Sequence, residues 1–357
     1  MDGISRPGAR ILLRDVARRA SVSGSTASRA LADDPRISKA TRDLVKAAAT
    51  DLHYVPNAAA RSLRVRRTRT LGLLLPDVRD PVHGQVASAF ELEASLAGYC
   101  VIVVSGERDA ARERIGLRTF AEHGTDGVAV VSSLISPREL RERVDPDRLV
   151  HAWPDHRTMP RTGGPPPPGV VQTDDSSGVR AAVEHLIDGG CRTIAYAGDG
   201  VRASNTVRAE ATAATLRQRG VRRALRTLVA GNAPGRADEL AAEVASAGPD
   251  AVVCYDDKLA LELMDALRRL GIRVPDDIGI VGFDGIPFAA ISNPRLTTVA
   301  VPTAEIGRLA ATLLIQAVHD GALPDGVLLP VELVVRESTR PTLASTAPVT
   351  ASLAAGG

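Results

Sequence analysis

Residues 12–64 read LLRDVARRASVSGSTASRALADDPRISKATRDLVKAAATDLHYVPNAAARSLR. The spacing of their apolar residues predicts three short helices and a fourth segment with its own start signal. The first helix is expected from about Leu13 to Ala20, with Val16, Ala17 and Ala20 on one face. Ser21-Val22-Ser23 makes a turn that leaves Val22 available to the interhelical core. Ser23 is a good N-cap for GSTASRALA, whose Ala27, Ala30 and Leu31 would face inward. Ser25, Thr26, Ser28 and Arg29 are then left on polar faces. Ser38 caps the third helix, where Leu44, Val45 and Ala48 are expected to close the core.

Charge separates this head from the rest. Residues 1–70 hold fifteen Arg or Lys against six Asp or Glu, a net of +9, while the remainder carries 29 against 36, a net of −7. A positive block of this size attracts DNA phosphates and makes binding salt-dependent. A merely solvated basic tail would need no helical periodicity, and periodicity is present. A short second helix capped by Ser and studded with Ser, Thr and Arg suits a major groove. Further on, Asn57 can cap AAARSLR, a segment too short to be a stable helix alone. Leu63, set between Arg61 and Arg64, is an apolar residue of the kind that wedges into a minor-groove base step.

From Thr70 onward, strand-like and helix-like stretches alternate. The apolar runs LGLLLP, YCVIVVSG, GVAVVSS, TIAYAG, AVVCYDD and IGIVGFDG are separated by helix-length segments, the pattern of parallel sheets. Segments such as TDDSSGVRAAVEHLIDGG and DDKLALELMDALRRLG carry acidic or Ser starts and Gly stops. About 270 residues in this rhythm predict two doubly wound lobes. In open α/β sheets, ligands sit at the carboxyl ends of strands. Asp77, Asp256-Asp257 and Asp284 each follow such a run; each could be an ordinary helix cap, and their convergence at one sheet edge would make a polar small-ligand site. GGPPPPG at 163–169 reads as a surface loop, and the segment from Pro341 as a disordered tail.

The strings L-R-D-V-A, S-x-S-T-x-S-R-A-L, T-R-D-L-V-K-A-A-A, Y-V-P-N-A-A-A-R-S-L and R-T-R-T-L-G-L-L-L-P-D occur in that order, and over about residues 11–340 the chain resembles the LacI/GalR family of bacterial transcription regulators. The resemblance implies an all-α helix-turn-helix head (11–55) and a hinge helix with linker (56–69). These join a two-lobed α/β core of periplasmic-binding-protein type with parallel sheets (70–340). Its N-lobe would take about 70–172 and 302–329, its C-lobe about 173–301 and 330–340, with 341–357 as tail. It further implies a homodimer on pseudo-palindromic operator DNA and a repressor whose affinity is switched by a small polar effector, sugar-like or another polar metabolite, between the lobes. By the same resemblance Leu13, Ser23, Ser25, Thr26, Ser28, Arg29, Ser38, Tyr54 and Asn57 would contact operator bases or backbone. Ala60, Leu63 and Arg64 would take the central minor groove, and His83, Arg208, Asp256 and Asp284 the effector.

The chain departs from the family pattern at several positions. Leu12 stands where a capping Thr or Ser is usual, and Gly24 removes a side chain at the first base-reading position. Asp256 replaces the usual Asn, which makes the pocket more acidic. Val82-His83 replaces an aromatic pair, and Ala211-Thr212 replaces a Gly-aromatic step. Fewer rings to stack on a sugar favour a polar or cationic ligand over a standard hexose.

Other classes find little support. No run of about 18 uncharged apolar residues is present, and the N-terminus lacks an apolar signal region, so a cytoplasmic, nucleoid-associated protein is expected. Cys100, Cys191 and Cys254 lack metal spacing; Cys100 and Cys254, in or beside apolar runs, are expected to be buried thiols. His151 and His156 in HAWPDH lie beside prolines and make a poor metal pair, and Trp153 between them is expected to face the cleft or the core. GDGVRASN lacks the Lys-Ser/Thr ending of a phosphate loop. No cofactor and no catalytic constellation is predicted. The alternative reading, a cytoplasmic small-solute-binding protein without regulatory DNA binding, leaves the basic head unexplained.

Overall fold

The computed structural model describes residues 11–54, 67–154, 165–198, 203–221, 227–229 and 236–340. The segment 57–64, with its hinge expectation, lies outside them, as do His156, the start of the proline-rich stretch and the tail 341–357. Two compact units divide the chain, Met1–Thr68 and Arg69–Gly357.

The head contains α1 (Leu13–Arg19), α2 (Gly24–Leu31) and α3 (Lys39–Asp51). Its core is built from Val16, Ala17, Ala20, Ala27, Ala30, Val45, Ala48 and Ala49. Six of these eight are alanines, so the helices can approach closely but each contact removes little apolar area from water. Val16 and Val45 contribute most, about 1.5–3 kcal/mol each when fully buried. The expectation that Leu44 closes this core is wrong: it is 53% exposed. The buried stripe of α3 runs through Val45, Ala48, Ala49 and the half-buried Leu52, and Leu44 sits about 100° round the helix from Val45.

The second unit holds two sheets. The first has the order β11-β5-β4-β3-β1-β2, from β1 (Thr70–Leu75), β2 (Cys100–Ser105), β3 (Gly127–Val131), β4 (Leu149–Ala152), β5 (Val170–Thr173) and β11 (Val327–Leu329). Its pairings are all parallel. The second has the order β12-β10-β9-β8-β6-β7, from β6 (Ile194–Gly198), β7 (Thr227–Val229), β8 (Ala251–Cys254), β9 (Gly279–Asp284), β10 (Thr297–Ala300) and β12 (Glu332–Val334). It is parallel except where β12 joins β10. The chain changes sheet after β5, after β10 and after β11, so the strand ends of both sheets are held by several chain passages.

Among the described residues, eight helices cover these sheets: α4 (Pro81–Leu96), α5 (Ala110–Glu122), α6 (Pro137–Arg143), α7 (Asp175–Asp188), α8 (Ala203–Gln218), α9 (Arg236–Ala247), α10 (Asp257–Arg269) and α11 (Thr303–Asp320). Most follow a strand directly. Asp80, Asp109, Ser136, Asp174 and Asp256 cap five of them with side-chain oxygens, which fixes each helix start at a strand's carboxyl end. Helices α4 and α11 approach so closely that a Cβ on Gly307 would lie 2.2 Å from the Val86 carbonyl oxygen. The six strands read from apolar runs are all present. Cys254 is buried, but Cys100 is exposed, contrary to expectation: it opens the edge strand β2, which no second neighbour covers among the described residues.

Candidate functional site

On the head, the polar residues are positioned by helix caps. Ser23 has an extended backbone, and its Oγ accepts the Thr26 N–H at 3.1 Å. The same Oγ lies 2.9 Å from Ser25 Oγ and 2.9 Å from Thr26 Oγ1. Three expected DNA contacts thus form one hydroxyl cluster at the α2 start, which satisfies one orphan helix N–H, that of Thr26, and leaves Ser23 and Ser25 exposed. Ser38 repeats the arrangement on α3, accepting the Thr41 N–H at 3.2 Å with Thr41 Oγ1 2.8 Å away. Ser28 and Arg29 are half-buried on α2. Leu13 and Tyr54 pack partly against the head core. Leu12 provides no side-chain cap; instead Asp15 accepts its backbone N–H at 2.9 Å. A Cβ on Gly24 would meet nothing within 4 Å, so packing does not demand glycine there. Asn57, Ala60, Leu63 and Arg64 lie outside the described residues.

In the second unit the strand ends of the second sheet gather a buried ionic cluster. Arg208 on α8 is 2% exposed. Its Nε donates to Asp175 Oδ2 at 3.0 Å, Nη2 lies 2.9 Å from the same oxygen, and Nη1 donates to the Tyr255 carbonyl at 2.6 Å. The guanidinium carbon sits 3.5 Å from the Phe283 ring centroid, 4.8 Å from Tyr255 and 6.0 Å from Trp153. Burial opposes the Arg208 charge, but Asp175 and then Asp284 outweigh it, so its pKa rises above the ordinary range. Thr173 donates to the other Asp175 oxygen at 2.6 Å.

Asp284 closes β9. Its Oδ1 lies 3.7 Å from Arg208 Nη2, too far for a hydrogen bond, and this buried oxygen accepts none. Its backbone φ is +108°, a costly conformation for a non-glycine residue and one that clusters at ligand sites. Burial pushes its carboxyl well above the usual range. Arg208 pulls it down, and Asp256, Asp257 and Asp80 push it further up. Asp257 is fully buried: Oδ2 accepts the Ile286 N–H at 2.8 Å and Oδ1 accepts Thr298 Oγ1 at 2.5 Å. Desolvation still raises its pKa to about 7. Gly282 makes room for it, since a Cβ there would lie 2.1 Å from Asp257 Oδ1.

The expected ligand residues are therefore not equivalent. Arg208 and Asp284 face one another. Asp256 caps α10, its Oδ1 accepting the Leu259 N–H at 2.8 Å, and acts on Asp284 through charge. His83 is buried on α4, with Nδ1 3.0 Å from the Asp77 carbonyl oxygen and 3.9 Å from Asp80. On that side Asp77 pairs with Arg79 and Asp80 with Arg108, each at 3.0 Å. Sequence reasoning passed over Asp175, the main partner of Arg208. The rule that selected Asp256 and Asp284, an Asp directly after a strand, would have found it beyond β5. Trp153, expected at the cleft or the core, is buried beside Arg208. Among the described residues no group of three or more His, Cys, Asp or Glu is placed to hold a metal ion, and no helix is long and apolar enough to cross a membrane.

Residues 12–57 match bacterial regulatory proteins of the lacI family, and residues 183–339 match a periplasmic binding protein-like domain. The ribose operon repressor of Halalkalibacterium halodurans is 31% identical over 342 residues, covering 92% of this chain and 97% of that protein. The repressor PurR of Vibrio vulnificus is 30% identical over 338 residues, 92% and 98%. Among solved structures, a lac repressor dimer bound to operator and the anti-inducer ONPF has a TM-score of 0.82 at 23% identity, covering 93% of this chain and 99% of that one. That likeness concerns the fold. A regulator CelR–cellobiose complex has a TM-score of 0.65 at 27% identity, covering 92% and 100%.

Proposed function

The chain belongs to the lacI family of bacterial regulatory proteins, and on that premise we propose that it represses transcription as an operator-binding homodimer released or retained by a small polar effector. Its relatives are named as repressors, and it is a DNA-binding regulator rather than an enzyme. The observation that carries the reading is the union, in one chain, of a basic head with Ser-capped short helices and a buried Arg208 facing Asp284 at the strand ends of a mostly parallel sheet. The first is built to meet phosphates and base edges. The second offers one guanidinium and one carboxylate whose Oδ1 accepts no hydrogen bond, which suits a hydroxyl- or nitrogen-bearing small molecule.

In this reading Ser23, Ser25, Thr26, Ser28, Arg29 and Ser38 contact the operator, with Leu13 and Tyr54 supporting the backbone contacts. Asn57, Ala60, Leu63 and Arg64 take the centre of the site. Arg208, Asp284, Asp256 and His83 serve the effector. Effector binding biases the core between two states, and operator affinity changes by the coupling free energy between the two sites. Its relatives are named as transcriptional or operon repressors, so we place the protein in the cytoplasm on the nucleoid. Mobility shift of genomic fragments by the full chain and by a variant lacking residues 1–64 tests this. Sequence-selective, salt-dependent binding by the full chain alone is expected; its absence sinks the reading. Leu63→Ala is expected to weaken specific binding far more than non-specific binding, and equal losses would remove Leu63 from the site.

A further inference from the structure

We propose that Asp126 and Arg69 form a clamp that fixes the direction in which the chain leaves the second unit. Both are then positioning residues for operator binding, an inference that rests on reading the chain as an operator-binding regulator. Arg69 is the first residue of the second unit, and the chain N-terminal to it leads back to the head. Its backbone φ is +52°, in the left-handed region that is costly for any residue with a side chain. Two backbone bonds hold it there. Its N–H donates to Asp126 Oδ2 at 2.9 Å, and its carbonyl accepts the Cys100 N–H at 2.9 Å. Asp126 is buried just before β3, and its own N–H donates to the Thr70 carbonyl at 2.7 Å. The Arg69 guanidinium lies beside Gly98, where a Cβ would be 3.0 Å from Nη1. One residue is thus tied to the starts of β2 and β3 and to the turn after α4.

The second sheet holds an internal control for this arrangement. Asp250 stands before β8 as Asp126 stands before β3: Ile194 of β6 is in register with Ala251, as Leu71 of β1 is with Gly127. Asp250 Oδ2 accepts the N–H groups of Arg192 and Thr193, each at 2.7 Å, and its own N–H donates to the Thr193 carbonyl at 2.7 Å. A carboxylate that staples the start of the neighbouring strand is therefore a device used twice. Arg192 occupies the place of Arg69, and two things differ between them. Of the two, only Arg69 has a positive φ. Arg192 continues from α7 of the same unit, whereas at Arg69 the unit begins. Strand pairing does not demand the strained conformation, since β6 and β8 pair in the same way without it. Such strain persists only where the surroundings over-determine it, and here they do so at the exit of the chain. Rotation about φ of Arg69 swings every residue N-terminal to it. Without the Asp126 acceptor Arg69 relaxes to a negative φ, and the chain before it leaves in another direction.

The experiment measures mobility shift on full-length variants, with the genomic fragment that the wild type selects most tightly as the specific probe and poly(dI-dC) as the non-specific one. Asp126→Ala removes the acceptor. It is expected to weaken binding of the selected fragment about tenfold, the order of one charge-assisted hydrogen bond, and to leave poly(dI-dC) binding unchanged. Asp250→Ala removes the equivalent staple and is expected to lower the melting temperature as Asp126→Ala does, yet to bind the selected fragment like the wild type. Arg69→Gly and Arg69→Pro lack the same guanidinium, but glycine keeps the N–H and the left-handed φ while proline keeps neither. The glycine variant is expected to bind the selected fragment about tenfold more tightly than the proline variant. Because Arg69 is exposed, this pair keeps the test decisive if Asp126→Ala fails to fold. Wild-type binding by Asp126→Ala, equal losses on both probes, an equal loss in Asp250→Ala, or equal binding by the two Arg69 variants would each overturn the proposal. Selective binding by the wild type with unaffected variants removes only the clamp, whereas a wild type that selects no fragment removes the regulator and the clamp with it.

Discussion

The head and the ionic cluster solve the same problem, placing polar groups for recognition, at opposite ranges in sequence. In the head the partners are three residues apart: Ser23 with Thr26, Ser38 with Thr41. In the cluster, Arg208 meets Asp175 33 residues away and the Tyr255 carbonyl 47 residues away, and Asp257 meets Thr298 41 residues away. Local polar chemistry costs little to assemble and stays exposed. Long-range polar chemistry is buried by the same packing that brings it together, so each group depends on its partner. The head can therefore lose one hydroxyl and keep its shape, whereas the cluster cannot lose its cation.

The largest expected effect tests that dependence. Arg208→Met strands Asp175 as a buried charge without its ion pair, and chemical denaturation is expected to show a loss of about 3–5 kcal/mol. A loss below about 1 kcal/mol would mean that the cluster behaves like a surface pair and the contrast between the two regions fails. Next comes Asp257, whose carboxyl moves from 3.8 to about 7 on folding because burial disfavours its charge. A raised pKa in the folded state contributes stability that is fully present below about pH 4 and is lost as pH rises through about 7. Asp257→Asn should therefore match the wild type near pH 4. Above pH 7 it should be the more stable by roughly a few kcal/mol, because each tenfold change in proton affinity is worth about 1.4 kcal/mol. Parallel stability curves for the two proteins across that range would show that Asp257 does not titrate there.

Smaller effects belong to the local interactions. Ser23→Ala removes the α2 cap and its hydroxyl cluster, and melting of the head is expected to reveal a cost of about 1 kcal/mol. Arg79→Ala lies in the second unit yet breaks an exposed pair only two residues apart, Arg79 with Asp77. Its unfolding midpoint should not move measurably. If it moved as far as that of Arg208→Met, range in sequence would not be the distinction that matters.

Much of this was legible in the sequence, for reasons that differ by region. Apolar spacing located α1, α2 and α3, because the side chains that pack are set by the helical repeat. Ser23 and Ser38 announced themselves as caps, since a cap bonds within its own turn. The same logic found the six apolar strands and the Asp residues that follow them. Leu44 and Cys100 show the limit: periodicity gives a face only to within a residue, and a run of apolar residues does not say whether its strand is central or at an edge. Asp256 shows a second limit, being a helix cap as well as a candidate ligand.

By itself, the sequence determined the division into a basic all-α head and a neutral-to-acidic α/β body, the helix starts, and the identity of Arg208 and Asp284 as candidates. The division, the helix starts and Asp284 depend on composition and on partners within a few residues, whereas Arg208 is implied by the family resemblance alone. Only the tertiary structure decided that Asp175, from a helix start 33 residues earlier, consumes the charge of Arg208. Only it decided that Asp284 Oδ1 is the buried side-chain oxygen left without a hydrogen bond among the described residues. Strand order sets which helix starts meet, and it places side by side strands that are far apart in the chain, which no local run of residues specifies.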